Sequence, residues 1–237
     1  MTEPTTPLRA ANMRKRRERI LAEARGLITR GGFESLNLRE LARLAEVTVP
    51  TIYNLLGNKE EVLVALFEGV LGEIDARMQS AEAEDALAQA TVVVTASTGL
   101  FAEDEDYYRS AFLAVEYLNQ SGEHHDKVTQ IYAWGERMAS AGFVACRDAG
   151  LLTGRIAPER LGEAVLRGYR TSCRAWAFGL IDLARFRRDA LVDIYIALAA
   201  DASTDFHAEL VKHIAAHAAT DTGPATNAPA ASKEHTR

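Results

Sequence analysis

The densest chemistry in the chain lies near its start. Arg14, Lys15, Arg16, Arg17 and Arg19 fall within six residues, with Glu18 the single acid among them. Packed guanidinium and ammonium groups seek phosphate, and such attraction weakens with salt. Further along, Thr48, Val49, Pro50, Thr51, Tyr53 and Asn54 flank an apolar Ile52. Threonine hydroxyls bond a phosphate or a base edge, and Val49 and Pro50 suit a thymine methyl. The Tyr53 phenol suits a phosphate, as does Lys59 at the start of a later helix. No Arg or Lys lies between Thr48 and Leu55, so the bidentate reading of guanine is not offered there.

Other reactive residues do not form recognisable sites. His213 and His217 are four apart, but Ile-Ala-Ala separates them, without the glutamate of a zinc-protease helix. Cys146 and Cys173 lack redox spacing and are too few for a disulfide framework, so buried thiols are expected. There is no G-x-S-x-G elbow, no P-loop and no Gly-rich dinucleotide turn. No catalytic residue, metal site or cofactor is therefore expected, and the chain reads as a non-enzyme.

The elements that must position these residues are all helical. Ala, Leu, Glu and Arg dominate, and no stretch alternates with period two. The first helix spans about 11–30, with Ile20, Ala24, Leu27 and Ile28 on one stripe, and stops at Gly31-Gly32. Asn37 caps a short helix over 38–45, with Glu40 reaching back in a capping box. Thr48 caps a second short helix over 49–55, where Pro50 sits harmlessly in the first turn. Asn58 caps a fourth helix running to about Gln79. Longer helices follow at about 83–101, 105–120, 124–149, 158–181, 184–201 and 204–219.

Composition sets the frame. The chain has 237 residues, 48% apolar and 25% charged, which suits a soluble helical protein. No run of 18 apolar residues occurs and the start lacks the apolar stretch of a secretory leader, so no membrane partner and a cytoplasmic location are expected. The formal charge is -6, but it is unevenly spread. Residues 1–60 hold 11 basic and 7 acidic side chains, net +4; the remainder holds 16 and 26 of the total 27 and 33, net -10. A basic head precedes an acidic body.

Helices too short to stand alone must be held by packing. Leu38, Leu41, Ala42 and Ala45 are placed to face the first helix, Val47 to plug the turn and Ile52 to anchor the next helix. This is a helix-turn-helix, a unit whose second helix enters a major groove of double-stranded DNA. Residues 11–67, with Gly31-Gly32-Phe33, Leu41-Ala42, Ala45, Val47, Thr48, Ile52-Tyr53, Lys59-Glu60 and Leu63, resemble the N-terminal domain of the tetracycline-repressor-like (TetR) family. Three positions depart from the family pattern. Glu46 stands where the family usually has glycine, Leu56 replaces an aromatic and Asn37 replaces a threonine. Glu46 is expected to strain the turn and repel phosphate.

Composition marks a flexible arm over 1–10 and a disordered tail over 220–237, and the resemblance implies that the all-α chain between them is a DNA-binding head over 11–57 and a ligand-binding and dimerisation body over 58–219. It implies a homodimer on a palindromic operator, released by a small, apolar effector. DNA contacts are assigned to Arg14, Lys15, Arg16, Arg17, Asn37, Thr48, Val49, Pro50, Thr51, Tyr53, Asn54 and Lys59. The dimer surface is assigned to Leu161, Val165, Gly168, Ser172, Ala175, Leu191, Ile194 and Leu198, with core of the same chain as the alternative for each. Pocket candidates are Val93, Ser97, Tyr108, Phe112, Glu116, Tyr132, Met138, Tyr169, Cys173 and Trp176. Glu116 is either exposed or a partner for a cationic ligand. The alternative is a helical ligand-binding or interaction protein that no longer reads DNA, a reading favoured by Glu46 and the Arg-free second short helix.

Overall fold

The computed structural model describes residues 7–81, 84–121 and 125–218. The expected tail over 220–237 and the first six residues of the expected arm lie outside the described residues. Among the described residues the chain is helical, with one isolated bridge, Leu152 to Ala202, in place of any sheet.

The head is built from α1 (Pro7–Gly31), a single 3-10 turn (Phe33–Ser35), α2 (Leu38–Leu44) and α3 (Val49–Leu55). The first helix starts earlier than its apolar stripe requires, because nothing in Pro7 to Ala10 opposes helix once Pro7 occupies its first position. Ile20, Ala24 and Ile28 are buried against Leu41, Ala45 and Ile52. Burying each large aliphatic side chain stabilises the head by roughly 1.5–3 kcal/mol. Asn37 caps α2 by accepting from the N–H groups of Arg39 at 2.8 Å and Glu40 at 3.4 Å. The expected return leg of the capping box is replaced: the Glu40 carboxylate accepts from Arg43 at 2.9 and 2.6 Å, because the guanidinium one turn on offers a charged donor.

The turn between α2 and α3 closes by two backbone bonds, Val47 N–H to Ala42 C=O at 2.9 Å and Glu46 N–H to Arg43 C=O at 3.3 Å. This Schellman arrangement needs a left-handed residue, and Glu46 supplies it at φ 51°. Thr48 then caps α3, accepting from Thr51 N–H at 3.3 Å.

The connector α4 (Lys59–Ser80) opens with a complete capping box between Asn58 and Glu61. Its first turns bury Val62, Leu63 and Leu66, and its later turns carry Val70 and Ile74 into the body. The body adds α5 (Ala86–Phe101), α6 (Glu105–Ser121), α7 (His125–Asp148), α8 (Pro158–Ala177), α9 (Leu183–Ala199) and α10 (Thr204–Ala218). Its core is an aromatic stack: Phe101 lies flat on Trp176 at 5.1 Å, and both rings meet Phe186. Helix α7 crosses α5 so closely that a Cβ on Gly142 would lie 2.3 Å from the Ala90 Cα.

Helix α8 stops at Ala177, short of the expected residue 181. Gly179 takes φ 73°, and Leu180 N–H reaches back to Ala175 C=O at 2.9 Å, which closes the helix end. The loop over 151–157 is pinned by the buried Asp201. Burial alone would push its pKa up, but Thr153 Oγ1 and the N–H groups of Arg155 and Gly154 donate to it and hold it below its ordinary value.

Within the single chain, most of the residues assigned to the dimer surface take the alternative place, in the core. Leu161, Val165, Leu191, Ile194 and Leu198 are buried within the single chain. Gly168 sits against Asp193 of α9, where a Cβ would lie 2.2 Å from Oδ2. The expected small-residue approach is thus made between α8 and α9 of one chain. Helical spacing marks an apolar face without saying which neighbour covers it. Ser172 and Ala175 remain half-buried.

Candidate nucleic-acid interface and buried cavity

Helix α3 is presented at the surface. Ile52 anchors it with no exposed area, while Pro50, Tyr53 and Asn54 are exposed and Tyr53 is 54% exposed. Arg14, Lys15, Arg16 and Arg17 are exposed on α1. Arg19 at the end of this basic run lies 3.7 Å from Glu46, so the run leads towards the helix-turn-helix turn.

Several residues assigned to DNA already have structural work. Asn37 and Thr48 are caps, and the Thr48 and Thr51 hydroxyls lie 2.9 Å apart in a mutual hydrogen bond. Val49 is half-buried and packs on the core. Lys59 points its Nζ at the Glu34 carbonyl, 3.5 Å away. The Asn37 NH2 group remains a donor, and of the two paired threonine hydroxyls one still has its O–H to give, so these roles leave donors for a phosphate.

The head is tied to the body by a polar cluster absent from the sequence assignments. Arg25 of α1 reaches Glu73 of α4 at 3.4 Å, and Asp104 and the Tyr108 hydroxyl at 3.5 Å. Its guanidinium lies 4.0 Å over the Tyr107 ring. Tyr108 Oη donates to Glu73 at 2.7 Å. Burial, followed by the bond to Glu73, raises the Tyr108 pKa well above its ordinary value and keeps the phenol protonated. Burial likewise lifts Tyr107, to about 12.

The same Tyr108 walls a cavity of about 80 Å³ between α4, α5, α6, α7 and α8. Phe67, Ile74, Phe101, Phe112, Ile131 and Trp134 make it mostly apolar. Of the expected pocket residues, Tyr108, Phe112, Glu116, Tyr132, Tyr169 and Cys173 line it. The others do not. Trp176 is sealed in the aromatic stack and Ser97 is buried behind Tyr169, whose hydroxyl donates to it at 2.9 Å. Val93 packs in the core, and Met138 borders a separate cleft with Met78 and Val92. The lining residues that sequence reasoning missed include Phe67, Val70, Leu71 and Ile74 on one apolar stripe of α4, Ile131 and Trp134 on α7, and Leu166 and Arg170 on α8.

Glu116 is neither exposed nor alone. Its side chain is 13% exposed and lies 3.8 Å from Arg174. Burial, then the charge of Glu116, pushes the Cys173 thiol up, so it is a packing group and not a nucleophile. Among the described residues no cluster of three His, Cys, Asp or Glu side chains is arranged to hold a metal ion. No single described helix is long and apolar enough to cross a membrane.

Comparison with known proteins follows this division of the molecule. Residues 20–66 match the family described as bacterial regulatory proteins, tetR family. The HTH-type transcriptional repressor KstR of Rhodococcus jostii is 28% identical over 91 residues, which is 38% of this chain and 43% of that protein. The match thus spans less than half the length of this relative. A TetR-family transcriptional regulator of a Rhodococcus species superposes with a TM-score of 0.65 at 16% identity, covering 78% of this chain and 99% of that one. FadR of Bacillus subtilis, in complex with stearoyl-CoA, superposes with a TM-score of 0.62 at 20% identity, covering 75% and 96%. The capped helix-turn-helix, its sequence match and the shared architecture identify this chain as carrying the DNA-binding domain of the TetR family of regulators on a body of the TetR fold.

Proposed function

We propose that the protein is a ligand-responsive transcriptional regulator, a repressor that leaves a palindromic operator when a small, largely apolar molecule enters the body. The observation that carries this reading is the exposure of α3 beside the basic run of α1, in a head joined through α4 to an aromatic-walled cavity. Two heads on one homodimer read two half-sites, and α3 enters the major groove in each. Exposed Phe178, Leu180 and Ile196, on or just past α8 and α9, supply apolar area for a partner copy.

Tyr108 provides the coupling. Its ring borders the cavity while its hydroxyl holds Glu73 in the cluster that grips Arg25 of the head. A molecule that displaces the ring loosens that grip. A ligand releases DNA only through its different affinity for the two states, and a coupling of about 1–3 kcal/mol is typical. The FadR neighbour is in complex with stearoyl-CoA, and that long acyl chain supports an effector with an apolar part.

A second reading has its own observations. Glu46 sits at the turn, α3 carries no cation and the two threonine hydroxyls bond each other. These favour a ligand-binding protein that has lost operator reading. Gel shifts with the DNA flanking its own gene, across a salt series, separate the two. The regulator binds selectively, with affinity falling steeply in salt. Tyr53→Phe then weakens binding to all sequences, and Thr51→Ala changes base preference. Weak retention indifferent to sequence would instead establish the second reading.

A further inference from the structure

One stretch of the cavity wall departs from its aromatic lining, where Glu116 of α6, Tyr132 of α7 and Arg170 of α8 come together. The Tyr132 hydroxyl is buried there without a hydrogen-bond partner. Native proteins leave few such groups unmatched. Burial raises its pKa, so it remains a donor. The Arg170 guanidinium carbon lies 3.6 Å from the centre of the Tyr132 ring, a contact made with the ring face that does not use its N–H groups as hydrogen-bond donors. Among the described residues no carboxylate lies within ion-pair distance of Arg170, whereas Glu116 has Arg174. The corner therefore presents two donors and one surplus positive charge to an otherwise apolar cavity.

We propose that this corner seats a carboxylate: the effector is an apolar molecule ending in a carboxylate that accepts from Arg170 and Tyr132. Its tail lies among Phe67, Phe112 and Trp134. The inference rests on the reading of this cavity as the effector site. A cavity of about 80 Å³ is smaller than the roughly 150 Å³ that admits benzene, so the tail enters by parting the walls. Tyr108 and Phe112, both on α6, are in that wall. Glu116 is the competing feature, since an ammonium would prefer it.

Three probes with the same tail decide the matter: octanoate, octylamine and 1-octanol, titrated calorimetrically into the full-length protein. Octanoate is expected to bind about tenfold or more tighter than either of the others. Arg170→Met, which keeps an apolar stem, removes that preference and leaves 1-octanol binding unchanged. Tyr132→Phe, nearly isosteric, lowers octanoate affinity several-fold and 1-octanol affinity by less, since a neutral hydroxyl accepts more weakly than a carboxylate. Retained 1-octanol binding by both variants shows that the cavity is still folded. Equal binding of all three probes, or octylamine preferred in a manner lost in Glu116→Gln, overturns the carboxylate seat while the cavity reading stands. Binding by none of the three overturns both.

Discussion

The head and the body of this protein hold their helices by different means. In the head, the short helices α2 and α3 are each set by a side-chain cap and a backbone-closed turn, all within a few residues of sequence. In the body, long helices are fixed by rings and glycines far apart in the chain. Trp176 meets Phe101 and Phe186, its Nε1 donates to Glu105 at 3.0 Å, and Gly142 meets Ala90. Local devices are each worth about 1 kcal/mol, while a buried aromatic commits several. The head is thus assembled from small separable terms and the body from a few large shared ones.

The largest expected effect tests the body's side of that contrast. Trp176→Ala removes a fully buried ring from the stack and leaves Glu105 without its indole donor. It should cost about 3–5 kcal/mol of stability in urea unfolding. A loss below about 1 kcal/mol would mean that the stack is not what holds α5, α8 and α9 together.

A smaller effect is expected where the two regions meet. Arg25→Met keeps the apolar stem of the side chain and removes its contacts to Glu73, Asp104, Tyr107 and Tyr108. The side chain is about one-third exposed, so solvent screens the ion pairs and the cost is about 1–2 kcal/mol, mostly from the stacked rings. The effect should be regional. Hydrogen exchange should rise in α1 to α3 while the α5, α8 and α9 amides keep their protection. Equal loosening of both regions would mean that head and body unfold as one unit and that Arg25 is no hinge between them.

The same contrast explains what could be read from the amino-acid order. The caps Asn37, Thr48 and Asn58 act on N–H groups two or three residues away, so each shows in a short window of sequence. The anchoring of Ile52 follows from helical spacing, and it is buried as expected. Glu40 marks the limit: two acceptors of similar reach, the cap amide and Arg43, compete for it, and sequence does not rank them. In the body, the resemblance left Leu161, Val165 and Leu191 between a dimer surface and the core of the chain, and within the single chain they are buried. The cavity was legible on α6 through Tyr108, Phe112 and Glu116. It was not legible on α4, because the stripe of Val70 and Ile74 is indistinguishable from ordinary core. Arg25 gave no signal at all, since Glu73 and Asp104 are distant in sequence.

Glu46 offers the finest test, because a local device here runs against its own residue type. The turn from α2 to α3 requires a left-handed residue, and an L side chain with a Cβ holds φ 51° at a cost of about 1–2 kcal/mol that glycine avoids. Its compensation is an ion pair with Arg19 at 3.7 Å, but the two side chains are 82% and 46% exposed, so that pair contributes little. Glu46→Gly should therefore raise the unfolding free energy by several tenths to about 1 kcal/mol, after the greater freedom of glycine in the unfolded chain is subtracted. It should also free Arg19 and remove an acid from the turn that leads into α3. DNA affinity should then rise, and it should rise more at low salt than at high salt. Glu46→Gln separates the two causes: it keeps the backbone cost and removes the charge, so it should reproduce the gain in DNA affinity without the gain in stability. If Glu46→Gly leaves stability unchanged, the left-handed residue is not a burden on the head, and its helix-turn-helix is held by more than the small local terms assigned to it.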